Sequence, residues 1–108
     1  MHAELHRHFK NVLECPRAFF FPVTPELLIA NIESYWAGFE AGAYGELQSY
    51  WRFNSWLAAR LGVPPNHAWR VFLHRDWEKR GLTMEEAVAD FRRLIHEFSG
   101  QDETGSSG

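Results

Sequence analysis

Aromatic residues return at helical spacing along this chain, from Tyr35, Trp36 and Phe39 through Tyr50, Trp51, Phe53 and Trp56 to Trp69, Phe72 and Trp77. Residues three and four apart share one face of a helix. The rings therefore stack on the inner sides of successive helices, which is how a small helical domain fills its core. With 108 residues, the chain has room for one such domain. Hydrophobic residues make up 45% and charged residues 23%, a balance that excludes a disordered chain.

Punctuation between the helices is explicit. Leu5, Phe9, Val12 and Leu13 fall at i, i+4, i+7 and i+8 and predict a first helix from about residue 4 to 13, ended by Pro16. Residues 18–23 read as an extended aromatic segment, either a strand with no evident partner or an irregular stretch pressed onto the core. Thr24-Pro25-Glu26 then forms a helix start: a capping hydroxyl, a proline where its missing N–H costs nothing, and an acid at the positive end of the dipole. This second helix is expected to bury Leu28, Ile32, Tyr35, Trp36 and Phe39 and to end at Gly42 and Gly45.

A third helix from about residue 46 to 61 places Leu47, Tyr50, Trp51, Leu57 and Leu61 inward, with Phe53 and Trp56 widening the stripe and Gly62 closing it. Pro64-Pro65-Asn66 is a stiff connector, and Asn66 is expected to cap a fourth helix carrying Trp69, Phe72, Leu73 and Trp77, with His67 in its first turn. Gly81 stops that helix. Thr83-Met84-Glu85-Glu86 reads as a capping box for a fifth, which buries Ala87, Val88, Phe91, Leu94, Ile95 and Phe98 before Gly100. The expected organisation is a single all-α domain over residues 1–100 with five helices and a disordered polar tail over residues 101–108.

Chemistry is sparse by comparison. Cys15 is the only cysteine, so no internal disulfide forms; it reads as a small buried hydrophobe before Pro16 and, with no secretory signal in view, as the thiol of a cytoplasmic protein. The longest apolar run, residues 18–23, is too short to span a membrane. A net charge of −3 gives no electrostatic reason to expect nucleic acid. His2 and His6 stand at i, i+4 with His8 nearby, but no third ligand completes a metal set, so neither a metal nor another cofactor is expected. His74 and Asp76 lie two apart and point to different sides of a helix, which makes them surface groups rather than a base and its orienter.

Five tryptophans exceed what a helical core needs. Tryptophan framed by arginine is a common anchor of protein contacts, so Trp51, Trp56, Trp69 and Trp77 are the candidates for a partner-facing surface. On the fourth helix Trp69 and Trp77 lie about 80° apart around the axis, each toward an edge of the stripe, with Arg70 and Arg75 on the flanks. If the fourth helix is the partner-facing element, at least one of the two rings is expected to be exposed, and burial of both makes them core residues. The candidate partner-binding residues are thus Trp69, Arg70, Arg75 and Trp77.

The order of these signals resembles a group of small, uncharacterised bacterial all-helical proteins. The matching stretches are Ile32-Glu33-Ser34-Tyr35-Trp36-Ala37-Gly38-Phe39, then Phe53-x-x-Trp56-Leu57-x-x-Arg60-x-Gly62, then Ala68-Trp69, then Phe91-x-x-Leu94-x-x-Glu97-Phe98. Pro16-Arg17 reverses the order seen at the N-terminal end of the pattern. The group is similar in size and style to immunity proteins of bacterial toxin systems, and the resemblance implies a protein that acts by binding another protein rather than by catalysis. The alternative reading is a small enzyme or ligand-binding domain with a pocket between helices.

Overall fold

An i, i+4 row of side chains organises the molecule: Leu28, Ile32, Trp36 and Glu40 run down one side of the second helix, and all four are buried. A computed structural model describes residues 3–15, 24–45 and 47–107; the extended aromatic segment expected at residues 18–23, Pro16 and His2 lie outside them. Among the described residues the chain forms five helices and no strand: α1 (Ala3–Glu14), α2 (Pro25–Tyr44), α3 (Gln48–Leu61), α4 (Trp69–Arg80) and α5 (Met84–Ser107).

Local signals account for most of the boundaries. The Thr24 hydroxyl accepts from the Leu27 N–H at 3.1 Å, with Pro25 in the first turn. Thr83 and Glu86 form the reciprocal capping box, the Glu86 N–H donating to the Thr83 hydroxyl at 3.2 Å and the Thr83 N–H to the Glu86 carboxylate at 2.9 Å. These bonds favour the charged form of Glu86 and hold its carboxyl below the usual range. Gly45, Gly62 and Gly81 end α2, α3 and α4 at φ of 73°, 69° and 64°, a region that only glycine enters without strain.

Four boundary expectations are corrected. Gly42 stays inside α2, which ends at Gly45. Ala68, not Asn66, stands at the start of α4, and His67 belongs to the connector. The reason is tertiary: the Asn54 side-chain amide donates to the His67 carbonyl at 3.2 Å, which holds that carbonyl outside the helix, and the first helical bond runs from the Val71 N–H to the Ala68 carbonyl. Finally, the expected end of the fifth helix before Gly100 is not found: α5 passes through Gly100 and continues to Ser107.

The core is a cluster of rings supplied by every helix. Trp36 lies between Phe9 of α1 (5.4 Å between ring centres), Phe53 of α3 (5.1 Å), Trp69 of α4 (6.1 Å) and Phe98 of α5 (6.3 Å). Phe53 in turn meets Trp69 edge to face and touches Phe91. Such pairings add about 0.5–1.5 kcal/mol each to the burial of the rings themselves. Within α1 the four apolar residues marked by spacing are the four that are buried.

Candidate partner-binding surface

Neither ring expected at the surface of α4 is there. Trp69 is 0% and Trp77 2% exposed. Trp69 enters the cluster around Trp36, and Trp77 turns its indole N–H toward Asp90 on α5, to which it donates at 2.8 Å. An 80° separation fits inside the core stripe because α4 is covered from two directions, by α2 and by α3. Both residues are corrected from partner-facing anchors to core side chains. Cys15 is corrected the other way: it is exposed, just beyond the end of α1.

The exposed tryptophan is Trp51, at 52%. It lies one residue from Tyr50 on α3, on the side opposite Phe53, and helical rotation of about 100° per residue carries it out of the stripe that buries Tyr50, Phe53 and Leu57. Its ring stands edge-on against Tyr50 at 4.9 Å. Tyr35 leaves the α2 stripe by the same geometry. At 40% exposure it stacks on His8 of α1 at 3.6 Å and not in the core. Burial holds His8 below its ordinary value of 6.5, against a hydrogen bond to Asn31 that raises it.

Tyr50 links Trp51 to charge. Its hydroxyl is pushed up to about 12, first by burial, then by the charge of Glu33 and a hydrogen bond to it, with Arg70 opposing. Arg70 reaches from α4 to the Glu33 carboxylate of α2 at 3.2 Å while remaining half exposed. Three helices thus bring Trp51, Tyr50, Glu33 and Arg70 into one contiguous region. Arg70 and Arg75 also line a shallow α2–α4 groove of about 250 Å³ with Glu26, Ile29, His74 and Glu78. So the structure joins the two arginines singled out in the sequence along one groove, and Trp51, in place of Trp69 and Trp77, is the exposed ring, linked to Arg70 through Tyr50 and Glu33.

Elsewhere the polar groups tie helices together. Asp90, 7% exposed, accepts from Trp77, from Arg80 at 2.9 Å and from Arg93. Burial raises its carboxyl, but these three donors outweigh that effect and leave it below its ordinary value. Arg80 also pairs with Asp76 at 2.6 Å, Arg93 with Glu97 at 3.3 Å, and Glu97 with Arg60 at 2.7 Å. Arg60 lies over the Trp56 ring, 5.6 Å from its centre.

The other buried carboxylate, Glu40, has 0% exposure and does the work of a helix cap from a neighbouring helix. Leu47 stands at the N-cap of α3 and has no side-chain acceptor. Glu40 accepts instead from the Ser49 N–H at 2.9 Å and the Tyr50 N–H at 2.7 Å. It also accepts from the Ser49 hydroxyl at 2.8 Å, and that hydroxyl accepts from the Trp36 indole at 2.9 Å. Negative charge at this end of the helix is favoured by its dipole.

His74 lies 3.7 Å from Glu78, and Asp76 is engaged by Arg80, so these groups do not converge. Among the described residues no group of three or more His, Cys, Asp or Glu is placed to hold a metal ion, and no helix is long and apolar enough to cross a membrane. Comparison with protein-family models, with curated proteins and with solved structures gives no match.

Proposed function

We propose that this chain is a non-enzymatic protein-binding module that presents the Trp51–Arg70 region to its partner, and that it acts as an immunity-type inhibitor of a bacterial toxin. The observation that carries the binding reading is the half-exposed Trp51 ring against Tyr50, whose hydroxyl in turn meets the Glu33–Arg70 pair. Tryptophan, tyrosine and arginine are the residue types that dominate binding energy at protein interfaces. An exposed indole gains by being covered, and the half-exposed Arg70 guanidinium, linked to it through Tyr50 and Glu33, offers a directional charge. The immunity-type reading rests on the resemblance in motif order and size alone.

The test uses the product of the reading frame adjacent to this gene as the binding partner. Mixing the two proteins is expected to give a complex by size-exclusion chromatography, and co-expression is expected to relieve any growth arrest that the neighbour causes. Trp51→Ala is expected to weaken the complex by about 2 kcal/mol or more with little loss of stability. A neighbour of purely metabolic type that forms no complex refutes the immunity reading. A complex that Trp51→Ala and Arg70→Ala leave unchanged refutes the surface.

A further inference from the structure

A second cleft, which shares Arg75 with the α2–α4 groove, carries two cations that form no ion pair among the described residues. It lies between the C-terminal end of α3, the connector and α4, and encloses about 400 Å³. Leu61, Val63, Pro64 and Phe72 are its apolar lining. Asn66, His67, Arg75, Asp76 and Lys79 supply its polar side. The volume is in the range of small-molecule sites.

The wall is built before any ligand arrives. The Val63 N–H donates to the Ala58 carbonyl at 3.0 Å and fastens the connector to the end of α3. The bond from Asn54 to the His67 carbonyl fastens its other end, and Pro64-Pro65 stiffens the span between. A ligand therefore orders little on binding.

The charge balance selects the ligand. Along α4, Arg70 pairs with Glu33, and Arg80 pairs with Asp76 and Asp90. Arg75 and Lys79, one helical turn apart on the cleft side, pair with no carboxylate among the described residues. The acid in the cleft, Asp76, already accepts twice from Arg80, at 2.6 and 3.0 Å. Two cations beside an apolar side thus face an opening in a protein whose net charge is −3.

We infer that this cleft binds a small carboxylate with an apolar body, an aromatic ring or short acyl chain, with Arg75 and Lys79 on the carboxylate and Leu61 and Phe72 against the body. Such a site goes beyond the partner surface: it shares Arg75 with the α2–α4 groove but uses neither Trp51 nor Arg70, so it can hold or fail without them.

The test is a titration of ¹⁵N-labelled protein followed by amide shifts, with phenylacetate, inorganic phosphate and 2-phenylethanol as separate probes. Phenylacetate is expected to give saturable shifts confined to residues 61–67 and 72–79, and to bind more tightly than either other probe. Arg75→Gln and Lys79→Met are each expected to weaken phenylacetate about tenfold, the scale of one charge-assisted hydrogen bond. Arg92→Gln, on the α1–α5 side, is expected to leave it unchanged. Equal binding of phosphate reduces the site to a patch of charge, and equal binding of 2-phenylethanol reduces it to apolar surface; either overturns the inference. Shifts that do not saturate, or that survive both α4 variants, overturn it as well. The comparison of probes on the unsubstituted protein decides the matter even where a variant fails to fold.

Discussion

Removing the Glu40 carboxylate is expected to unseat the start of α3. In Glu40→Ala the N–H groups of Ser49 and Tyr50 and the Ser49 hydroxyl lose an ionised acceptor at 2.7–2.9 Å inside the core. Hydrogen bonds to a charged group contribute about 1.5–3 kcal/mol each, so the gross loss is about 5–9 kcal/mol. Against this stands the desolvation cost of burying the carboxylate, several kcal/mol, which the alanine no longer incurs. The net expectation is a loss of about 3 kcal/mol, larger than the roughly 1 kcal/mol of an ordinary surface cap and a large part of the 5–15 kcal/mol that holds a typical domain together. With a urea slope of about 1.5 kcal/mol per molar, the unfolding midpoint falls by about 2 M. Glu40→Gln should fall between, since its amide keeps one acceptor but turns an NH₂ toward N–H groups. Hydrogen exchange at Ser49 and Tyr50 gives an independent reading, with protection lost first at these two amides. A midpoint shift below about 0.5 M in Glu40→Ala, with both amides still protected, would refute the idea that this carboxylate holds the helix start.

Thr83→Ala is expected to cost about 1 kcal/mol through loss of the capping box, read as a lowered denaturation midpoint; an unchanged midpoint means that α5 starts without it. Trp77→Ala is expected to cost about 3–5 kcal/mol as a core truncation, whereas Trp51→Ala changes stability by less than about 1 kcal/mol; similar losses in the two variants would contradict the burial contrast. Tyr50 titrates higher in the folded protein than its ordinary 10, so its contribution is complete below pH 10 and is lost as pH rises toward about 12. Alkaline melting curves should therefore show a loss of stability over that interval which Tyr50→Phe lacks. Asp90 is displaced downward, so its contribution is complete above its ordinary 3.8 and is lost as pH falls through its lowered folded-state value. Asp90→Asn should be destabilised at neutral pH and should lose less than the parent on acidification.

How far the fold was legible depended on the range of the interaction. Thr24, Thr83 and the glycines at 45, 62 and 81 act through bonds three to five residues away, and their roles could be read from local order. Asn66 has the right chemistry to cap α4, but the bond from Asn54 to the next carbonyl decides the helix start, and that bond joins residues 13 apart. Glu40 was missed for the same reason. On α2 alone a carboxylate beside Phe39 reads as solvent-facing, and only the turn at Gly45 brings the end of α3 over it. The aromatic stripes were wider than the surface available to bury them, so periodicity could not choose between neighbours: Trp36 over Tyr35, Tyr50 over Trp51. That ambiguity covered the candidate surface, where the arginines were legible as helix flanks and the exposed ring, Trp51, was one of four tryptophan candidates that periodicity could not rank.

The alternating charges that run from Asp76 through Arg80, Asp90, Arg93 and Glu97 to Arg60 have an evolutionary consequence. Asp90 sits between two guanidinium groups and accepts from an indole N–H, so reversing its sign would bury a positive charge against two others at a position that is 7% exposed. Substitutions here are therefore constrained as a set. In relatives that drift at this seam, positions 77, 80, 90 and 93 are expected to covary, and the intermediate that has changed Asp90 alone is the step that selection removes.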